Sequence, residues 1–165
     1  MTTTPSVTTE NISLLSKEEL LQNWQGHRRL TRKMIEAFPE DKLFTYSIGG
    51  MRPFAELVLE FLGMAIPGLN GIATRKWEKW ADAGKVSTKK ELLARWDDAT
   101  ETINRIWPTI PPQRFLEEDV AFGQWPGTCV SFIFYFMDNE IHHRGQAYVY
   151  LRSLGIEPPA FWDRN

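Results

Sequence analysis

An all-α bundle of four amphipathic helices, with a long crossover before the last helix, is the architecture this sequence predicts. Three observations point to it. Apolar residues recur at three- and four-residue spacing in four separate segments. Helix-start patterns precede two of those segments, and turn-forming prolines and glycines gather mainly between them. At 165 residues, with 42% hydrophobic and 13% aromatic content, the chain fits one domain with a full core. Residues 1–15 read as a loose arm and residues 16–165 as the single bundle domain.

The first helix begins at Ser16, which with Glu19 makes a capping-box pattern. Leu20, Trp24, Thr31, Ile35 and Phe38, joined by Leu21 and Met34, share its inner side, and it ends before Pro39. After the loop PEDKLFTYSIGGM, Pro53 suits the first turn of a second helix. Phe54, Leu57, Val58, Phe61, Leu62 and Ala65 form that helix's apolar face. Pro67 and Gly68 are expected to break or kink it, with the chain resuming helically toward Trp80.

Beyond the turn ADAGKVS, Thr88 and Glu91 repeat the capping-box spacing, and Leu92, Trp96, Ala99, Ile103 and Ile106 line one face up to Pro108. The segment from Pro108 to Gly127, rich in proline, reads as a crossover with little regular structure. The last helix spans about Thr128 to Leu154, roughly 40 Å at 1.5 Å per residue. Gly155 stops it, with Pro158 and Pro159 just beyond. Its opening run SFIFYFM is apolar almost all round, so the helix sits centrally or also meets a second subunit.

A net charge of −2 and a pI near 5.9 argue against nucleic acid as a partner. The basic stretch RKWEKW is short, broken by glutamate, and reads as a solvated helix end. Cys129 is the only cysteine, which excludes an intrachain disulfide and a thiolate metal cage. The N-terminus lacks a secretory pattern, and no window is read as approaching 18 apolar residues. The expectation is a soluble cytoplasmic protein without a membrane partner.

The stretch from Asp138 to Arg144, DNEIHHR, holds the chemistry. Buried polar groups need partners, since an unpaired one costs several kcal/mol, about 2–7 by transfer data. Asn139 and His143 lie four apart and share a face with Phe132, Phe136, Ala147, Tyr150 and Leu154, so they point inward. Glu140 and Arg144 read as a boundary ion pair. Asp138 and His142 form a third pair, with His142 bonding Asp138 or bordering a dimer contact. Gly145, inside a helix, suggests close approach by a neighbouring helix or a ligand. One Glu-x-x-His, Glu140 to His143, is too little for a di-iron site. The zinc-protease pattern is absent, and no serine or cysteine triad has support.

HHRGQ, His142 to Gln146, followed by YVYLRSLGIEPP, Tyr148 to Pro159, resembles the C-terminal helix of the DinB-like (damage-inducible) family of bacterial four-helix bundles. Helix count, the long third connection and chain length extend the resemblance over most of residues 16–160. It implies a divalent metal held by three histidines, one on the second helix and two spaced four apart on the last. It also implies homodimers, and either thiol-dependent transfer or isomerisation with low-molecular-weight thiols or metal-dependent hydrolysis. Carried onto this chain, the three positions fall on Glu60, Asn139 and His143, which keep one imidazole.

Two readings follow from that altered set. In one, Glu60, Asn139 and His143 bind a divalent metal. Oxygen ligands would favour manganese, iron or magnesium over zinc or nickel. The metal would lower the pKa of a bound thiol or water, with Glu140 or His142 as nearby base. In the other, Glu60 accepts hydrogen bonds from Asn139 and protonated His143, with no metal bound. The protein is then a non-catalytic small-molecule-binding or stress-response dimer. Arg144 and Arg152 read as surface ion pairs, with recognition of an acidic substrate as the alternative. His27 reads as surface or packing, Cys129 as a buried inert thiol, and Trp125 as a roof over a pocket.

Overall fold

The computed structural model describes residues 15–80 and 83–165. The expected arm, apart from Leu15, and Ala81 and Asp82 of the expected turn lie outside the described residues. Five α-helices follow in order: α1 Lys17–Ala37, α2 Glu40–Thr45, α3 Phe54–Thr74, α4 Lys89–Ile106 and α5 Cys129–Ser153. The four long ones form the expected all-α bundle, in which α1 and α3 each pack on both α4 and α5. The short α2 was not anticipated. Its six residues bury only Leu43, too little for a periodic signal.

Local chemistry sets the helix ends. Ser16 Oγ accepts the Glu19 N–H at 3.1 Å, and the Glu19 carboxylate accepts the Ser16 N–H at 2.8 Å, closing the capping box on α1. At α4, Thr88 Oγ1 takes the Glu91 N–H at 3.2 Å, while the Glu91 carboxylate reaches Ser87, one residue earlier, at 3.0 Å. Gly155, at φ 74°, ends α5 in a paired motif. There Ile156 N–H bonds the Leu151 carbonyl at 2.9 Å, and Gly155 N–H bonds that of Arg152 at 3.0 Å.

Three expectations need correction. First, α3 runs through Pro67 to Thr74, because Gly68, Leu69, Gly71 and Ile72 beyond the proline are buried in the core. It stops at Arg75, which has φ 62°, so residues 76–80 are not helical. Second, the crossover is ordered. Two 3-10 turns, Trp107–Thr109 and Pro112–Leu116, lead into a hairpin of β1 Glu118–Ala121 and β2 Trp125–Thr128, paired Glu118 to Thr128 and Ala121 to Trp125. Arg114, only 3% exposed, holds this hairpin. It donates to Ile72 O on α3 at 2.8 Å, to Glu117 at 2.9 Å and to Asp119. Third, α3 with a mean hydropathy of 1.5 is long and apolar enough to cross a membrane. In the fold it is a core helix, with Phe54, Leu57, Val58, Phe61 and Leu69 all nearly sealed from water.

The core divides in two along the bundle. One cluster gathers Leu20, Trp24, Leu69, Trp107, Phe132 and Phe136. The other gathers Met34, Phe38, Phe54, Phe61, Trp96 and Tyr150. Between them α1 contributes Gln25, His27, Arg28 and Thr31, and α5 contributes the stretch from Asp138 to Gln146. A polar waist therefore crosses the middle of the molecule.

Close helix approach occurs at Gly68 rather than at Gly145. A Cβ on Gly68 would lie 2.3 Å from Phe136 Cζ, whereas nothing comes within 4 Å of one on Gly145. Gly68→Ala should lower stability by about 1–3 kcal/mol through overpacking against the buried Phe136 ring. Gly145→Ala should raise it by about 0.5–1 kcal/mol through helix propensity. Urea unfolding followed by circular dichroism checks both; an unchanged midpoint for Gly68→Ala contradicts the packing.

Candidate functional site

Glu60 on α3 and Asn139 and His143 on α5 come together on one side of the waist. Asn139 Nδ2 donates to Glu60 Oε1 at 3.1 Å, and His143 Nε2 lies 3.4 Å from the same oxygen. The four-residue spacing on α5 puts the amide and the ring on one face. The second oxygen of Glu60 has a partner that sequence reasoning missed: Arg52 Nη2 donates to Oε2 at 2.5 Å. Arg52 precedes the helix, where no periodicity signals which way a side chain turns. Its own carbonyl accepts the Tyr150 hydroxyl at 3.1 Å, fixing the backbone beside α5.

The imidazole is held on several sides. Its ring stacks on Phe61 with centroids 5.9 Å apart, and His142 packs against it at 4.9 Å. Gln146 Oε1 lies 2.9 Å from His143 Nδ1. With Nδ1–H donated to that oxygen, Nε2 faces the Glu60 carboxylate, and a proton there completes an ion pair. Burial works against the Glu60 charge, but the Asn139 amide and the Arg52 guanidinium outweigh it and hold the carboxyl below its ordinary range. Asn139 Oδ1 is enclosed and has no hydrogen-bond partner.

Among the described residues no three His, Cys, Asp or Glu side chains converge as a metal site. The Glu60 cluster offers one carboxylate, one amide oxygen and one imidazole nitrogen. Its carboxylate already carries Arg52 on one oxygen and the Asn139 N–H on the other. A dication would add its charge to that of the guanidinium in a partly dry site. The donor set does not fit a tightly held divalent metal; only the partnerless Asn139 oxygen speaks for one.

Glu60 also borders a cavity of about 660 Å³ walled by Trp80, Phe122, Trp125, Phe132, Tyr135 and Phe136. The hairpin supplies Phe122 and Trp125, so Trp125 does roof a pocket. The ring of Phe122 packs on Trp77 and Trp125 at 5.6 and 6.0 Å.

Glu140 and Arg144, expected at a boundary, are buried at 2% and 5% exposure on the opposite side of the waist. The reason lies on α1, which brings acceptors and donors to meet them. Thr31 Oγ1 donates to Glu140 Oε1 at 2.5 Å, and Arg144 Nη1 donates to Thr31 Oγ1 at 2.9 Å and to the His27 carbonyl at 3.1 Å. Glu140 and Arg144 themselves stand 3.5 Å apart. Arg28, stacked 3.9 Å over Trp96, adds a second buried guanidinium. Burial raises the Glu140 carboxyl despite the opposing pull of Arg28, Thr31 and Arg144.

His27 packs in this network, as one of its two readings had it: its Nδ1 lies 2.9 Å from Arg144 Nη2. Burial, reinforced by Arg144 and Arg164, lowers its pKa from 6.5 to about 4. His142 is exposed and forms no bond to Asp138. Cys129 is buried, and burial raises its thiol, as suits an inert side chain.

The sequence profile of the DinB family matches residues 7–164. Among solved structures, a DinB-like protein from Bacillus cereus superposes with a TM-score of 0.70 at 20% identity, covering 87% of this chain and 95% of that one. A DinB-like protein from Bacillus subtilis gives 0.69 at 21% identity, covering 89% and 99%. At such identities the likeness concerns the fold. A search of curated proteins finds no match.

The depressed His27 pKa makes stability depend on pH with a definite sign. The unfolded chain takes up the proton first, so the contribution is complete above pH 6.5 and is lost as pH falls to about 4. Urea titrations across that window should show falling stability, with a shallower fall in His27→Gln, which keeps an acceptor for Arg144. An identical slope in the two proteins would contradict this assignment.

Proposed function

The chain belongs to the DinB family, and from that premise we propose that it is a small-molecule-binding bundle whose Glu60, Asn139 and His143 cluster works without a bound metal. The observation that carries this reading is Arg52, whose guanidinium lies 2.5 Å from Glu60 Oε2 and supplies the positive charge the carboxylate requires. Glu60 then forms the polar end of an aromatic cavity. A ligand suited to it is mostly apolar and flat, with one hydrogen-bond donor for the carboxylate. Aromatic walls favour stacked and edge-on rings, and a donor to an ionised group forms the stronger kind of hydrogen bond.

Metal-dependent thiol transfer or hydrolysis, which the family resemblance implied, has one observation in its favour: the enclosed, partnerless Asn139 oxygen. It requires Arg52 to leave Glu60. The two readings differ in what the protein retains on purification and in what it binds.

Calorimetry with 2-naphthol, which has one donor on a flat apolar body, should detect binding, and 2-methoxynaphthalene should bind more weakly. Glu60→Gln should weaken 2-naphthol by about tenfold, as expected for loss of a charge-assisted bond. Binding indifferent to both changes contradicts the proposed polar end. By elemental analysis after dialysis, the parent protein should carry no stoichiometric metal, while the double variant Glu60→His with Asn139→His should retain zinc through three imidazoles. One metal per chain in the parent would overturn the metal-free reading.

A further inference from the structure

A second cleft, of about 680 Å³, lies between α1, α5 and the C-terminal tail, away from Glu60. The tail is strapped across α1. Arg29 Nε donates to the Arg164 carbonyl at 2.7 Å, and Lys33 Nζ pairs with Asp163 at 2.9 Å. Arg164 of this strap and Arg152 of α5 both line the cleft, together with Gly145 and Tyr148.

The cleft has more donors than acceptors. The Arg152 guanidinium makes no hydrogen bond or ion pair with any described residue. Arg164 Nη1 donates to Asn23 Oδ1 at 3.3 Å and meets no carboxylate among the described residues. His27 Nδ1 accepts from Arg144, which leaves the proton of the neutral ring on Nε2. Nε2 faces Arg164 at 3.3 Å, donor toward donor. His27 also lines the cleft, where this N–H is open to an acceptor. The Tyr148 hydroxyl is enclosed and also has no partner. Arg144 is paired with Glu140, one turn away on the same face of α5. That leaves two guanidinium groups, those of Arg152 and Arg164, against one lining carboxylate, Glu157. The local excess is a single positive charge.

Gly145 lines the cleft, with nothing within 4 Å of where a Cβ would stand. A glycine inside a helix costs stability relative to alanine, and here no packing explains it. Phe161 and Trp162, 62% and 73% exposed, stand at the same cleft.

We propose that this cleft binds a small monoanionic carboxylate with a flat apolar body. The carboxylate accepts from Arg152, Arg164 and the His27 Nε2–H, while the body lies over Gly145 against the tail's aromatic rings. Forked guanidinium groups match the planar carboxylate, and one negative charge cancels the local excess. The site is separate from the Glu60 cavity and stands whether or not that cavity binds its own ligand.

Isothermal titration calorimetry of the full chain with 1-naphthoate tests the proposal, with 1-naphthalenemethanol as the neutral control. The parent should bind naphthoate at least about tenfold more tightly than the alcohol, the scale of a charge-assisted hydrogen bond. Arg152→Gln, at an exposed and unpaired side chain, should weaken naphthoate by about tenfold or more on the same grounds. Gly145→Leu should abolish binding while raising the thermal midpoint, which separates a blocked cleft from a damaged fold. Glu60→Gln should leave naphthoate binding unchanged. No binding to the parent, or binding that both Arg152→Gln and Gly145→Leu leave intact, overturns the proposal.

Discussion

Charged and amide side chains carried into the middle of a bundle must each meet a partner, because water is not available to take its place. In this protein α5 takes Asn139, Glu140, His143 and Arg144 into the layer between two apolar clusters. The neighbouring helices are built around them. On one side α1 supplies Thr31 and the His27 carbonyl; on the other, α3 and the loop before it supply Glu60 and Arg52. The aromatic ends of the bundle then close over this waist: Trp24 and Phe136 at one end, Phe38 and Phe54 at the other.

The two sides of the waist have different consequences. The Glu140 and Arg144 side is sealed, and removing one member would leave a buried charge unpaired, the costly outcome for such networks. It fixes how α1 sits on α5. The Glu60 side is half-open, because Arg114 ties the hairpin to α3, and the hairpin so walls a cavity that reaches the carboxylate. One helix face thus specifies assembly, and the adjoining face offers a place for chemistry or binding.

Much of this was legible in the sequence, and the misses have physical causes. The helix faces followed from apolar spacing, and the cap at Ser16 from residue types three apart. The convergence of Glu60, Asn139 and His143 followed from a family resemblance together with helical geometry. Spacing along one helix says which residues share a face, but not what the opposing helix presents. For that reason Glu140 and Arg144 were placed at a boundary, although Thr31 and the His27 carbonyl await them. Arg52 was invisible because it lies in a loop, where no period governs direction. Gly145 was read as a close approach by a helix or a ligand; the helix contact is at Gly68, beside a proline that drew the reading toward a helix break. The hairpin was lost among prolines, since its strands of four residues are too short to show alternation.

The central claim is that Glu60 is neutralised by protein groups rather than by a metal. Its most direct measurement is a crystal structure of the full chain grown in excess manganese, with anomalous scattering recorded for the metal. The account predicts Arg52 within hydrogen-bonding distance of Glu60 and no anomalous peak between Glu60 and His143. A peak at that position, with Asn139 Oδ1 turned onto it and Arg52 displaced toward solvent, would contradict the account.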